Sequence, residues 1–165
     1  MNEILITNAR LYAGRHQLEL AAERLGSGKD GIVIVARNKA KPGDVAIKVF
    51  RFDEAYVREK QIYERLRSLE VTRILGFNVP QLIAFEDDLR IIEMTIVTRP
   101  FVLDFAGAYL DSRPDFPDEI WAGWEAEKRE QFEERWSEVQ RILDAFEEIG
   151  IYLLDVSPGN IGFAG

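Results

Sequence analysis

The chain has 165 residues and a net charge of −8, with one histidine and no cysteine. This length suffices for one domain or a small two-lobed unit. The acidic charge disfavours nucleic acid as a partner, and the lack of cysteine excludes disulfides and cysteine-ligated zinc. No apolar run approaches the roughly 18 residues of a membrane span, and the first residues lack the basic start of a signal peptide. We therefore expect a cytoplasmic protein that binds neither nucleic acid nor a membrane.

The first 23 residues carry mixed signals. Residues 4–6, Ile-Leu-Ile, favour a short strand, and Leu18 and Leu20 alternate with polar residues toward the next segment. We expect this part of the chain to supply the first strand of a sheet and a cover for that sheet.

Three glycines, Gly26, Gly28 and Gly31, have the spacing G-x-G-x-x-G. Without a Cβ, the backbone of such a loop can approach phosphates closely. A dinucleotide-binding loop opens directly into a helix, whereas the β-branched run at 32–35 favours a strand. A P-loop is excluded because Asp30, and not Ser or Thr, follows the Gly-Lys pair. The glycines therefore predict a phosphate-binding loop between two strands.

Lys48 and Glu59 are predicted to form an ion pair. Lys48 lies on a second strand, residues 45–49, which a turn-rich stretch separates from the first. A helix with an acidic first turn follows, and Glu59 falls inside its apolar stripe. A buried carboxylate costs several kcal/mol unless a cation pairs with it, whereas Glu64 projects off the stripe toward solvent. The stripe consists of Tyr56, Ile62, Tyr63, Leu66 and Leu69.

Further strands and a long helix are predicted in the second half of the chain. Residues 79–85 and 89–95 favour two strands joined by an acidic turn. From about Asp118 a long helical pattern follows, which Gly150 ends. The three tryptophans of this region are expected in the core or at an interface. The apolar face consists of Phe132, Trp136, Val139, Ile142, Leu143, Phe146 and Ile149.

The segment at 151–161 holds Asp155, a Pro-Gly turn and Asn160. Taken alone, such a segment is more often a polar turn between a helix and a strand. In this chain it comes after a glycine loop joining two strands, a strand lysine, a helix glutamate and a long helix. That order resembles the protein-kinase-like superfamily over residues 18–163.

The resemblance implies an α+β, protein-kinase-like fold. Residues 1–93 would form an N-lobe with a five-stranded antiparallel sheet and one helix. Residues 94–100 would form a hinge, and residues 101–165 a reduced helical C-lobe.

The same resemblance implies ATP binding. Lys48 would neutralise the α- and β-phosphates, and Glu59 would position Lys48. Adenine would meet the carbonyl of Glu93 and the amide of Thr95, beside Ile92 as gatekeeper. The other nucleotide-binding residues would be Gly26, Ser27, Gly28, Gly31, Val33 and Ala46.

Asp155 and Asn160 would carry the chemistry. By the resemblance, Asp155 would accept the proton of a protein Ser or Thr hydroxyl during phosphoryl transfer, and Asn160 would bind Mg²⁺. Two features depart from the superfamily pattern. Leu153 and Leu154 replace the His-Arg pair before the aspartate, and Ser157 replaces a lysine that contacts the γ-phosphate.

The metal-binding Asp-Phe-Gly motif is missing, because five residues follow Asn160 and none of them is an aspartate. One asparagine is a poor Mg²⁺ site, so a minimal or truncated bacterial-type member, with little Mg²⁺ dependence and little transfer, is expected. One alternative is a catalytically inactive pseudokinase, a nucleotide- or protein-binding regulatory module with a partner surface at 117–136. Another is a small-molecule kinase of the aminoglycoside or choline type, which the length disfavours.

Overall fold

The computed structural model describes residues 2–165, without the side chains of residues 23–25. The α-helices are α1 (Glu3–Arg15), α2 (Asp53–Ser68), α3 (Asp118–Phe132) and α4 (Trp136–Glu148). The strands are β1 (Leu18–Ser27), β2 (Gly31–Asn38), β3 (Asp44–Phe50), β4 (Arg73–Ile74), β5 (Phe77–Asn78), β6 (Leu82–Glu86), β7 (Ile91–Thr95), β8 (Phe101–Val102), β9 (Tyr109–Leu110), β10 (Ile151–Tyr152) and β11 (Ile161–Gly162). None of the helices described is long and apolar enough to cross a membrane. The chain is α+β, as its sequence predicts.

Among the described residues, five strands form one antiparallel sheet in the order β1-β2-β3-β7-β6. Strands β2 and β3 are rich in β-branched residues, which suit a pleated and half-buried surface. Side chains alternate between the two faces of a strand. Ala46 and Lys48 therefore share one face, and Ile47 and Val49 share the other. Lys48 thus lies on the central strand of the sheet.

Helix α1 covers the back face of this sheet. The predicted strand at residues 4–6 is wrong, because these residues lie inside α1. Leu5, Ala9, Tyr12 and Ala13 recur at helical spacing and pack in one buried cluster with residues of β2 and β3. Burial of this helical face outweighs the local strand preference of the isoleucines. The expectation that the segment covers the sheet is confirmed.

A buried hydrogen bond ties α1 to strand β7. Tyr12 Oη donates to Glu93 Oε1 at 2.7 Å, and both side chains are buried. Burial and the hydrogen bond to Glu93 raise the pKa of Tyr12, so the hydroxyl stays protonated at neutral pH. The bond gives Glu93 the donor that a carboxylate inside a sheet requires.

The part of the chain after β7 consists of short strand pairs and two helices. Strand β8 pairs with β11, and β9 pairs with β10. The long helix predicted from Asp118 is divided, with a 3₁₀ turn at Glu133–Arg135 between α3 and α4. Glu133 has a φ of 56°, a left-handed conformation that interrupts an α-helix. The apolar face of α4 packs in the core it shares with α2, and Gly150 follows its end with a φ of 81°.

We expect Tyr12→Phe to lower the free energy of unfolding by about 1–3 kcal/mol, because Glu93 would stay buried without its donor. Urea unfolding followed by circular dichroism measures the change. Tyr109→Phe is the matched control, since it removes the same atom from a partly exposed side chain. Equal effects of the two substitutions would show that the Tyr12–Glu93 bond contributes nothing specific.

Candidate functional site

A cleft of about 970 Å³ opens between the front face of the five-stranded sheet and the segments that follow β8 and β10. The structure brings most of the sequence-predicted site residues to this cleft. Glu93 is not among its lining residues, because its side chain contacts Tyr12 of α1. The predicted residues that do line it are Gly26, Ser27, Gly28, Gly31, Val33, Ala46, Lys48, Glu59, Thr95, Asp155 and Asn160.

Lys48 and Glu59 form the buried contact that the sequence predicts. Lys48 Nζ donates to Glu59 Oε1 at 2.8 Å, and the two side chains are 10% and 2% exposed. Glu59 lies on the buried face of α2, while Glu64 is partly exposed, so the predicted phase of the helix is confirmed. The contact joins the central strand of the sheet to α2.

Opposing influences act on the charges of this pair. Burial alone would lower the pKa of Lys48, but the carboxylates of Glu59 and Asp104 outweigh burial and raise it. Burial raises the pKa of Glu59, and Lys48 opposes that rise. The raised pKa of Lys48 favours a charged lysine, and the raised pKa of Glu59 favours a neutral carboxyl. Nζ lies 2.8 Å from one carboxylate and 3.5 Å from a second, so we assign a charged pair, because two acids stabilise one cation.

The glycine loop has open backbone on the cleft side. The amide of Gly28 donates to the carbonyl of Gly31 at 2.9 Å, which closes a tight turn. A Cβ at Gly31 would overlap the carbonyl oxygen of Val49, whereas nothing lies near the Cβ positions of Gly26 and Gly28. Gly31 is therefore required by strand pairing, and Gly26 and Gly28 leave the loop accessible to a ligand.

Arg51 holds the base of this loop, a role that the sequence analysis missed. Its guanidinium donates to the carbonyl oxygens of Gly28 and Lys29, each at 3.2 Å. It also donates to Asn2 Oδ1 at 3.0 Å. The Arg51 amide adds a bond to the Asp30 carbonyl at 2.9 Å. Nothing in the local sequence distinguishes this arginine from a solvated one, so no pattern could have identified it.

Asn160 braces the loop that carries Asp155. Its Nδ2 donates to the carbonyl oxygen of Asp155 at 3.0 Å, and its amide donates to Ser157 at 2.9 Å. Trp124 Nε1 adds a bond to the Leu154 carbonyl at 3.3 Å. These contacts hold Asp155 exposed at the cleft and leave Asn160 Oδ1 as an oxygen for a ligand.

Asp104 is a second site residue that the sequence analysis missed. Its Oδ1 lies 3.5 Å from Lys48 Nζ and accepts the Ala106 amide at 3.0 Å. Burial and the Asp104 carboxylate raise the pKa of Asp155, against Lys128 and Lys48. The cleft therefore holds two neighbouring carboxylates. The sequence does show an aspartate directly after the apolar residues 101–103. That pattern is equally typical of an ordinary turn, so it did not indicate a site residue.

The sheet already uses the backbone groups that the resemblance assigned to adenine. The Thr95 amide already donates to the Gln81 carbonyl at 2.9 Å. Glu93 is paired with β3 on one side and with β6 on the other, so its carbonyl lies inside the sheet. Both residues belong to the sheet, because β7 continues to Thr95. The backbone that leaves the sheet beside the cleft belongs to Ile96 and Val97.

The oxygen donors of the cleft suit a hard cation. In the described part of the chain, no group of three or more His, Cys, Asp or Glu is arranged to hold a metal ion. The donors present are the carboxylates of Asp104 and Asp155 and the amide oxygen of Asn160. Mg²⁺ is usually held by one or two carboxylates together with substrate phosphates, so this set fits Mg²⁺ when a nucleotide supplies further oxygens.

Comparisons with known proteins add no further assignment. The chain matches no protein-family model and no curated protein, so its function is inferred from the geometry of the cleft.

We expect Glu59→Ala to lower the free energy of unfolding by about 2–4 kcal/mol, because Lys48 would remain buried with only Asp104 as its partner. Glu64→Ala, in the same helix, is expected to change it by less than about 0.5 kcal/mol. Urea unfolding of both variants measures the difference. A Glu64 variant as unstable as the Glu59 variant would contradict the importance of the pair.

Proposed function

We propose that this protein is an ATP-binding, protein-kinase-like module, with residues 1–93 as its N-lobe, 94–100 as its hinge and 101–165 as a reduced C-lobe. The observation that carries the proposal is the Lys48–Glu59 contact of 2.8 Å at the wall of a cleft lined by a glycine loop. A structural ion pair needs neither a cleft nor open glycines beside it. A lysine held there is suited to neutralise phosphates.

The cleft offers a place for each part of the nucleotide. Gly26, Ser27 and Gly28 would cover the phosphates with backbone amides, since no side chain obstructs the two glycines. Val33 and Ala46 would contact the adenine ring from the sheet. The adenine edge would meet the backbone at 96–97, and the side chain beside it would be Met94 instead of Ile92, since Met94 lines the cleft.

Phosphoryl transfer would use the loop at the other side of the cleft. Asp155, exposed and braced through Asn160, would accept the proton of a protein Ser or Thr hydroxyl. Partial desolvation in the cleft and the neighbouring Asp104 raise the pKa of Asp155, which would strengthen it as a base relative to an ordinary aspartate. Mg²⁺, when bound, would supply neutralisation of the phosphoryl charge. Asn160 Oδ1 would be one of the Mg²⁺ ligands, as the resemblance implies.

A catalytically inactive pseudokinase is the alternative, and the tryptophan-bearing helices favour it. Trp136 is buried, but Trp121 and Trp124 are partly exposed and line a second cavity of about 260 Å³. The guanidinium of Arg113 stacks 3.6 Å over the Trp121 ring. Aromatic residues and arginine are enriched in protein interfaces, so this surface would serve a regulatory protein partner.

We expect ATP at about 100 times its dissociation constant to stabilise the protein by roughly 2.7 kcal/mol, which raises the melting temperature by several degrees. Gly28→Val should abolish this shift, because a branched side chain would occupy the space next to the phosphates. Thermal melts with and without ATP measure it. Gly123→Val is the matched control, since it also has open space at Cβ but lies in α3. Full ATP protection in the Gly28 variant would refute the phosphate-loop assignment.

We expect Mg²⁺-dependent transfer from radiolabelled ATP to Ser- and Thr-containing protein substrates. Asp155→Ala should reduce this transfer by at least about 100-fold, because the base would be lost. ATP protection should persist in the variant. ATP protection without any transfer by the unmodified protein would favour the pseudokinase alternative, and the absence of ATP protection would overturn both.

A further inference from the structure

We propose that Asp104 supplies the carboxylate of a divalent-cation site in the cleft, together with Asn160 Oδ1 and beside the Asp155 base. This inference rests on the proposed nucleotide binding, because the phosphates would provide the remaining oxygen ligands. The cation class is Mg²⁺ or Mn²⁺, since every protein donor is a hard oxygen. Asp104 precedes the Asp155 loop in the chain, whereas the superfamily pattern has its metal-binding aspartate after the asparagine.

Strand pairing brings Asp104 to the Asp155 loop. Val102 on β8 is paired with Ile161 on β11, and the Leu103 amide donates to the Asn160 carbonyl at 2.7 Å. Asp104 is the next residue, and its φ of 64° turns the chain away from the strand direction. The Ala106 amide then holds its Oδ1 at 3.0 Å. The aspartate is therefore fixed beside Asn160 by backbone contacts on both sides.

The contacts of Asp104 leave room for a cation. The contacts to Lys48 and to the Ala106 amide both use Oδ1. The carboxylate is one-third exposed, so a hydrated ion can reach it from the cleft.

The cleft also carries more negative than positive charge near this point. Glu59, Asp104 and Asp155 all line it, and Lys48 lies within 4 Å of the first two. Glu59 is 2% exposed, and its Oε2 has no hydrogen-bond partner in the described part of the chain. A buried carboxylate oxygen without a donor is costly. It therefore favours a second cationic ligand in this cleft and provides an observation independent of the Asp104–Asp155 pair.

The two roles of Asp104 predict effects of opposite sign. Without metal, its carboxylate would repel the phosphates of ATP and compete for Lys48. With metal, it would attach the cation that the phosphates share. Asp104→Asn should therefore strengthen ATP binding in EDTA and weaken it in Mg²⁺, whereas a purely structural role would change both in the same direction.

The first test is a set of thermal melts of the full chain with ATP, in EDTA and in Mg²⁺. The second is a Mn²⁺ titration followed by electron paramagnetic resonance, with and without ATP. In the unmodified protein, Mg²⁺ should increase the ATP-dependent shift. In Asp104→Asn that increment should vanish, the shift in EDTA should grow, and the Mn²⁺ dissociation constant should rise at least about tenfold. Asp115→Asn is the charge-matched control on an exposed loop residue and should match the unmodified protein.

The outcomes separate this inference from the proposed function. An Asp104→Asn variant that keeps the Mg²⁺ increment and binds Mn²⁺ within twofold of the unmodified protein overturns the assignment of Asp104. Absence of Mn²⁺ binding by the unmodified protein, with and without ATP, overturns it as well. Absence of ATP protection in every condition overturns nucleotide binding, and Mn²⁺ binding that is lost in Asp104→Asn would still support the cation site.

Discussion

The buried contact between Lys48 and Glu59 is the constraint on which the cleft depends. Taking either charge out of water costs several kcal/mol, and a close opposite charge is what offsets that cost in a dry interior. Lys48 lies on the central strand, so hydrogen bonds on both sides fix its position. Glu59 is the carboxylate on the buried face of α2. The contact therefore fixes how α2 is rotated about its axis and where it lies along the sheet. The position of α2 in turn sets one wall of the cleft.

Polar contacts outside the cleft hold its other edges. Glu93 lies on the opposite face of the sheet from Lys48 and accepts a hydrogen bond from Tyr12. It belongs to β7, the strand that leads into the backbone at 96–97, so α1 supports that edge from behind. Arg51 acts in a comparable way on the glycine loop through two carbonyl oxygens. The cleft is thus supported from the back of the sheet as well as from α2.

The parts that the sequence predicted depend on short-range patterns. The strands around the glycine loop and the Lys48–Glu59 contact follow from periodicity and from one buried carboxylate whose cation lies 11 residues away, and the α+β class was implied by the resemblance. Asp104 could not be predicted because a two-residue strand pair between β8 and β11 brings it to the site, and two residues carry no periodic signal. Helix α1 was mistaken for a strand at 4–6 because its isoleucines prefer strands locally, while burial against the sheet is a tertiary effect. That the Thr95 amide, predicted to meet adenine, is used within the sheet could not be predicted, because the end of β7 depends on pairing with Gln81.

The charges of the cleft connect nucleotide and cation binding. A nucleotide polyphosphate entering the cleft meets Lys48, which is already shared between Glu59 and Asp104. It also meets Asp155, whose carboxylate adds repulsion in the same low-dielectric space. The phosphates would therefore compete with Glu59 and Asp104 for Lys48. In the proposed site, a divalent cation shared by Asp104 and the phosphates would reverse that balance, since it would attract both anions and leave Lys48 paired with Glu59. Linkage would then require that cation and nucleotide strengthen each other's binding by the same factor, so a site that was expected from its sequence to be nearly indifferent to Mg²⁺ would become one in which the two ligands bind together.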